Sequence, residues 1–116
     1  MIRRSEEKNI QVKEGLFGAS GKATIRNILN GTQELYDKGR VFAHTSLAPG
    51  ASIGFHLHQE ESETYYILSG EGLYNDNGKE YQIFPGDVTH TPPGEGHGIT
   101  NTGKEELHMI ALILDK

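Results

Sequence analysis

Apolar and polar residues alternate along this chain in short runs, and glycine, proline or asparagine separates one run from the next. The runs are short and rich in β-branched and aromatic residues, so they read as strands rather than helices. Strands are predicted over Ala23–Leu29, Val41–Leu47, Ser52–Leu57, Glu63–Leu68, Gly72–Asn75, Lys79–Phe84, Asp87–Thr91, Gly98–Asn101 and Leu107–Leu114. Asn77-Gly78 tolerates positive φ at both positions of a two-residue turn, which predicts a hairpin joining Leu73–Asn75 to Lys79–Gln82. Pro85-Gly86 and Pro92-Pro93-Gly94 mark two more turns. A single helical turn is expected at Thr32–Asp37, with Thr32 as its cap and Leu35 and Tyr36 packing beneath. Many short strands joined by glycine-rich turns predict an all-β sandwich or barrel.

Composition narrows this picture. At 116 residues the chain suits a single domain, and its hydrophobic fraction of 34% implies a small core or one completed by a second subunit. The first twenty residues hold few apolar anchors, so residues 1–20 are expected to form an arm that orders against a neighbour, with the barrel over 21–116. The net charge is −5 and no Lys/Arg stripe is present, which argues against nucleic acid or an anionic membrane as partner. Cysteine is absent, which removes disulfides, thiolate metal sites and a Cys nucleophile together and fits a reducing interior. The charged start, Met1–Asn9, lacks the apolar core of a signal peptide, and the longest apolar run, Met109–Leu114, is too short to span a bilayer. A cytoplasmic protein is expected.

Chemistry concentrates between Gly50 and Asn101. His56 and His58 stand two apart on a predicted strand, so their rings share a face. Glu63 follows five residues later, and His97 enters just after the rigid Pro92 turn. A lone strand histidine is usually a hydrogen-bonded structural residue, and a lone glutamate a solvated acid. The set of three imidazoles and one carboxylate, framed by turn residues, supplies the donors that a divalent transition ion prefers.

These segments resemble the two sequence motifs of the cupin superfamily, G-x5-H-x-H-x3/4-E-x6-G and G-x5-P-x-G-x2-H-x3-N. Gly50, His56, His58, Glu63 and Gly70 meet every position of the first, and Gly86, Pro92, Gly94, His97 and Asn101 every position of the second. The resemblance implies a double-stranded β-helix, or jelly roll, with one metal ion inside the barrel. It implies that His56 and His58 bind through Nε2, Glu63 through a carboxylate oxygen and His97 from the facing strand. Two metal positions then stay open to water or substrate, as at catalytic sites. Family analogy favours Mn or Fe, with Ni, Co or Zn also compatible. The glycines, Pro92 and Asn101 are read as structural.

Other residues are candidates for the pocket. Tyr65 shares a face with Glu63 and is expected beside the metal, either as a hydroxyl donor or as packing. Arg26 is a candidate anchor for a carboxylate if it faces inward. His44 and His108 could face the barrel as proton carriers, although a structural or exposed role is the expected one. Phe55 and Leu57 should point outward, Arg40 should be solvated at a turn, and Glu60 and Glu61 should lie in a solvated loop. The function expected is a metal-dependent enzyme of dioxygenase, decarboxylase, lyase or isomerase type, acting on a small carboxylate or sugar-like molecule. The alternative is a module that binds or senses a metal-chelating acid without converting it. Apolar residues on both faces of Tyr65–Leu68 and Met109–Leu114 lead us to expect a homodimer.

Overall fold

The computed structural model describes residues 1–116. Ten strands follow one another: β1 (Ile10–Glu14), β2 (Lys22–Leu29), β3 (Gly39–Leu47), β4 (Ser52–Leu57), β5 (Glu61–Ser69), β6 (Gly72–Asp76), β7 (Lys79–Ile83), β8 (Val88–Thr91), β9 (Gly96–Asn101) and β10 (Leu107–Asp115). They form two antiparallel sheets, a six-stranded one in the order β1-β2-β3-β10-β5-β8 and a four-stranded one in the order β4-β9-β6-β7. Apart from β1-β2-β3 and β6-β7, neighbours in the sheets are not neighbours in the chain, because the other successive strands cross between the sheets. This is the all-β sandwich that the strand pattern predicted, in the jelly-roll form that the cupin resemblance implied.

The core lies between the sheets. Leu47, Ile67, Leu107 and Met109 are its largest fully buried apolar side chains. Along β10 the pattern is strict, with Leu107, Met109, Ala111 and Ile113 buried and the residues between them more exposed. That is the period-two signature of a sheet with one face on a core. Asn77 and Gly78 both have positive φ, 53° and 100°, and join β6 to β7 as the hairpin signal requires. Phe55 and Leu57 point outward, 47% and 60% exposed.

Three local expectations need correction. The helical turn is Gly31–Glu34 and is capped by Asn30, not Thr32; the Glu34 carboxylate accepts the Asn30 N–H at 2.6 Å. Tyr36 does not pack beneath it, being 81% exposed with a φ of 56°. Glu61 opens strand β5 instead of lying in a loop. The first twenty residues also contain a strand the apolar pattern did not signal. β1 pairs with β2 from Ile10↔Arg26 to Glu14↔Lys22, yet all five of its residues are exposed, so backbone hydrogen bonds hold it rather than burial.

Candidate metal centre

The two sheets place the four predicted ligands together. His56 lies on β4 directly opposite His97 on β9, and a register shift between Ile53 and His56 turns the His56 ring inward. His58 follows the end of β4, and Glu63 reaches in from β5 of the other sheet. The His58 Nε2 atom lies 3.1 Å from His56 Nε2 and 3.1 Å from His97 Nε2. Glu63 Oε1 lies 3.0 Å from His58 Nε2 and 2.9 Å from His97 Nε2. His58, Glu63 and His97 are buried, and His56 is half-buried at the cavity wall.

The outward nitrogens decide what the inward ones can do. His56 Nδ1 is 2.8 Å from the Gly54 carbonyl, which only accepts, so Nδ1 carries the proton. His58 Nδ1 is 3.2 Å from a Glu61 carboxylate oxygen, so it too is a donor. His97 Nδ1 is 2.8 Å from Tyr74 Oη, a hydroxyl able to accept from it while donating to Thr91 Oγ1 at 3.0 Å. With Nδ1 protonated on each neutral ring, three Nε2 lone pairs converge with a carboxylate. Such a set calls for positive charge at its centre, which a proton supplies in the metal-free protein, and the donor set fits a divalent transition metal. In the metal-free protein burial pushes the Glu63 carboxyl up, but hydrogen bonds from His58 and His97, made when their Nε2 atoms carry a proton, outweigh it and hold its pKa at about 2, so the carboxylate is ionised across the physiological range.

Glu61 is half-buried beside this centre instead of solvated, and Arg40, exposed as expected but on β3, pairs with it. Arg40 donates from Nε to Glu61 Oε2 at 2.8 Å and from Nη2 to Oε1 at 2.6 Å. This two-pronged ion pair, chiefly through its hydrogen bonds, lowers the Glu61 pKa. The carboxylate so fixed accepts from His58 Nδ1, and thereby sets the tautomer and orientation of a candidate ligand.

The remaining candidates divide between the two faces of the larger sheet. Tyr65 sits in the centre, its ring 5.2 Å from that of His97 and its Oη 3.5 Å from Glu63 Oε1. Burial, and then the neighbouring carboxylate, raise its pKa well above the ordinary phenol value, so it is a neutral donor. Arg26 does not face inward. Its neighbours Ile25 and Asn27 line the cavity, while its own Nη1 donates to Ser46 Oγ at 3.0 Å on the opposite face. His44 shares that outer face, with Nε2 2.9 Å from His108 Nδ1. Tyr74, Thr91 and Phe17 are the site residues the sequence reading missed. Tyr74 could have been found by strand alternation from Gly72, whereas nothing in the sequence signals that the Phe17 ring stacks on His56 at 3.9 Å.

The cavity beside the cluster has a volume of about 550 Å³, with His56, His58, Glu63 and Tyr65 on one side and residues from β1 and β2 on the other. The cupin domain family model matches residues 43–113, more than half of the chain. The chain is a member of the cupin family. It is similar to an oxalate-binding protein of Thermotoga maritima, with 40% identity over 114 residues, covering 98% of this chain and 93% of that one. It is similar also to the crystal structure of a predicted oxalate decarboxylase from Thermotoga maritima, with a TM-score of 0.94, 40% identity and full coverage of both chains. Auxin-binding protein 1 of Arabidopsis thaliana is 32% identical over 108 residues, which cover 85% of this chain and 52% of that one. No helix of this cupin is long and apolar enough to cross a membrane.

Protons should compete with a metal at this cupin's centre. The Glu63 hydrogen bond, opposed by burial, raises the His58 pKa above its ordinary value in the metal-free protein. That raised value stabilises the metal-free fold below the unfolded histidine pKa of about 6.5, and the contribution is lost as pH rises through the folded value. The metal-bound form needs the proton gone and shows the opposite trend. The gap in melting temperature between metal-loaded and metal-free protein should therefore be wide at pH 7.5 and close towards pH 5. Calorimetric melts of both forms across that range test this, and a gap that stays constant would contradict it.

Proposed function

We propose that this cupin holds a divalent transition metal, with Mn or Fe favoured over Ni, Co or Zn, through His56, His58, Glu63 and His97. We propose further that it uses the metal to bind a small oxygen-chelating acid of the oxalate class. The observation that carries the reading is the convergence of three imidazole Nε2 atoms and one carboxylate on a common point, with Nδ1 of His56 and His58 held by obligate acceptors and that of His97 by the Tyr74 hydroxyl. The name of the Thermotoga maritima oxalate-binding protein supports the choice of ligand. A bound divalent ion would supply positive charge to hold and polarise ligand oxygens. Around it, Tyr65 offers a phenolic hydrogen, and Arg40 keeps Glu61 occupied with His58.

A second reading, conversion of the acid by a decarboxylase, dioxygenase, lyase or isomerase type of reaction, draws support from the relative described as a predicted oxalate decarboxylase. Proton movement is where the two readings part. Glu63 is a candidate ligand, Glu61 is locked by Arg40, and Tyr65 is a poor base, so no free general base stands among these cavity residues. Binding without turnover is favoured by that shortage. Titration of Mn-loaded protein with oxalate, followed by product mass analysis under air, separates the readings. Saturable binding with oxalate recovered intact supports the binder; release of CO2 or formate supports the enzyme; and no binding rejects the ligand class.

A homodimer is proposed through the outer face of the six-stranded sheet. Ile10, Val12, Tyr66, Leu68 and Val88 are all exposed there, between 42% and 63%. Apolar side chains gathered on one face of a sheet mark an interaction surface. Light scattering at micromolar concentration should give twice the mass of the 12.8 kDa chain, and a monomeric mass would overturn the proposal.

A further inference from the structure

We infer that the N-terminal stretch Gln11–Phe17 is the ligand-selecting wall of the metal cavity, and that it selects a chelating acid carrying a second anionic group. The inference rests on the metal–acid reading above and extends it. The β1–β2 register sets Gln11 against Ile25 and Lys13 against the buried Ala23, so both side chains project from the inner face of the sheet. They line the cavity together with Leu16, Phe17 and Asn27.

Charge distinguishes Lys13 from its surroundings. Of the two permanent cations lining the cavity, Arg40 is neutralised by Glu61 at 2.6 Å. Lys13 forms no ion pair with any carboxylate of the chain. An uncommitted ammonium group, on a cavity wall that also carries the amides of Gln11 and Asn27, suits the far carboxylate of a ligand whose near end is chelated. The volume of about 550 Å³ leaves room for such a ligand, being in the range of cavities that enclose molecules much larger than a two-carbon acid.

Phe17 shows that the wall is built and not merely adjacent. It adopts φ 53° and ψ 45°, a left-handed conformation that bulky L-residues rarely take, and strain of this kind persists at ligand clamps. Its ring lies flat on His56, with centroids 3.9 Å apart and planes 10° apart. Gly54 makes the approach feasible, because a Cβ there would collide with the Phe17 carbonyl oxygen. A lysine that turns inward from an edge strand can also serve only to discourage edge-to-edge pairing, and the test separates that role from ligand selection.

The experiment titrates Mn-loaded full-length protein with 2-oxobutyrate and 2-oxoglutarate, which share a chelating head and differ by a tail carboxylate. Oxalate serves as the reference, and Mn content is measured for every variant. Wild type should favour 2-oxoglutarate by about tenfold, the worth of one charge-assisted contact. Lys13→Gln should erase the preference while 2-oxobutyrate binding stays the same, and Phe17→Ala should weaken both keto acids. Lys104→Gln, outside the cavity, should retain the preference. Equal affinity for the two acids in wild type, or a preference that survives Lys13→Gln, overturns the inference even where oxalate binds. Self-association of Lys13→Gln with the preference intact would assign the lysine to edge protection alone. Failure of all three acids on Mn-loaded wild type would remove the underlying metal–acid reading as well.

Discussion

Replacing His97 by alanine should lower metal affinity by more than about 100-fold, beyond the cost usually seen for losing an outer-shell partner of a metal ligand. His97 is fully buried, its Nε2 is 2.9 Å from Glu63 and 3.1 Å from His58, and its Nδ1 ties it to Tyr74. Without the ring, three donors remain around a void, Tyr74 loses a hydrogen-bond partner, and Glu63 in the metal-free protein loses one of the two hydrogen bonds that hold its pKa near 2. Elemental analysis after gel filtration checks this: wild type should carry close to one metal per chain and His97→Ala almost none. His90 is exposed and hydrogen-bonded to Thr64 at 2.9 Å, so His90→Ala is the matched control and should keep its metal. A full complement of metal in His97→Ala would refute the assignment of the centre.

Asn101→Ala should be the most damaging change outside the metal cluster. The Asn101 side chain is 1% exposed and serves three backbone groups. Its Nδ2 donates to the Leu47 carbonyl at 2.9 Å and to the Glu105 carbonyl at 2.8 Å, and its Oδ1 accepts the Gly103 N–H at 2.9 Å. Alanine orphans the buried Leu47 carbonyl and removes the links to the part-buried Glu105 carbonyl and Gly103 N–H. An orphaned buried group costs about 1–3 kcal/mol and each lost hydrogen bond about 1 kcal/mol, so a loss of roughly 3 kcal/mol is expected. For a domain of this size that lowers the melting temperature by roughly 10–20 °C. Urea unfolding of the metal-free proteins measures the difference directly, and a loss under about 1 kcal/mol would mean that the corner is held by something else.

Both changes fall on residues that could be read in the sequence, and the reason is physical. Metal donors and corner residues need particular side chains at fixed spacing, so His56, His58, Glu63, His97 and Asn101 leave a pattern. Strand alternation placed Tyr65 beside Glu63 correctly, because the two residues share a strand and no bulge lies between them. Arg26 was open to error, since its face depends on where β2 begins relative to β3, and that register is set across the sheet. The Arg40–Glu61 pairing was not legible because it joins residues on β3 and β5, strands separated in the sheet by β10. β1 alternates Ile10-Gln11-Val12-Lys13, but the run is short and none of it is buried, so its hydrophobic periodicity is too brief to single it out. Hydrogen bonding to β2 specifies it, and that depends weakly on side-chain identity.

The centre draws His56 and His97 from one sheet and Glu63 from the other. A metal bound there is therefore a cross-brace between layers that otherwise meet through an apolar core. The halves of the barrel cannot separate until at least one of these bonds is broken. Unfolding of the metal-bound form would have to break metal–ligand bonds as well as the apolar core, a step the metal-free fold does not face. The protein's lifetime at high temperature should thus follow the concentration of free metal, as expected when a ligand binds the folded state alone.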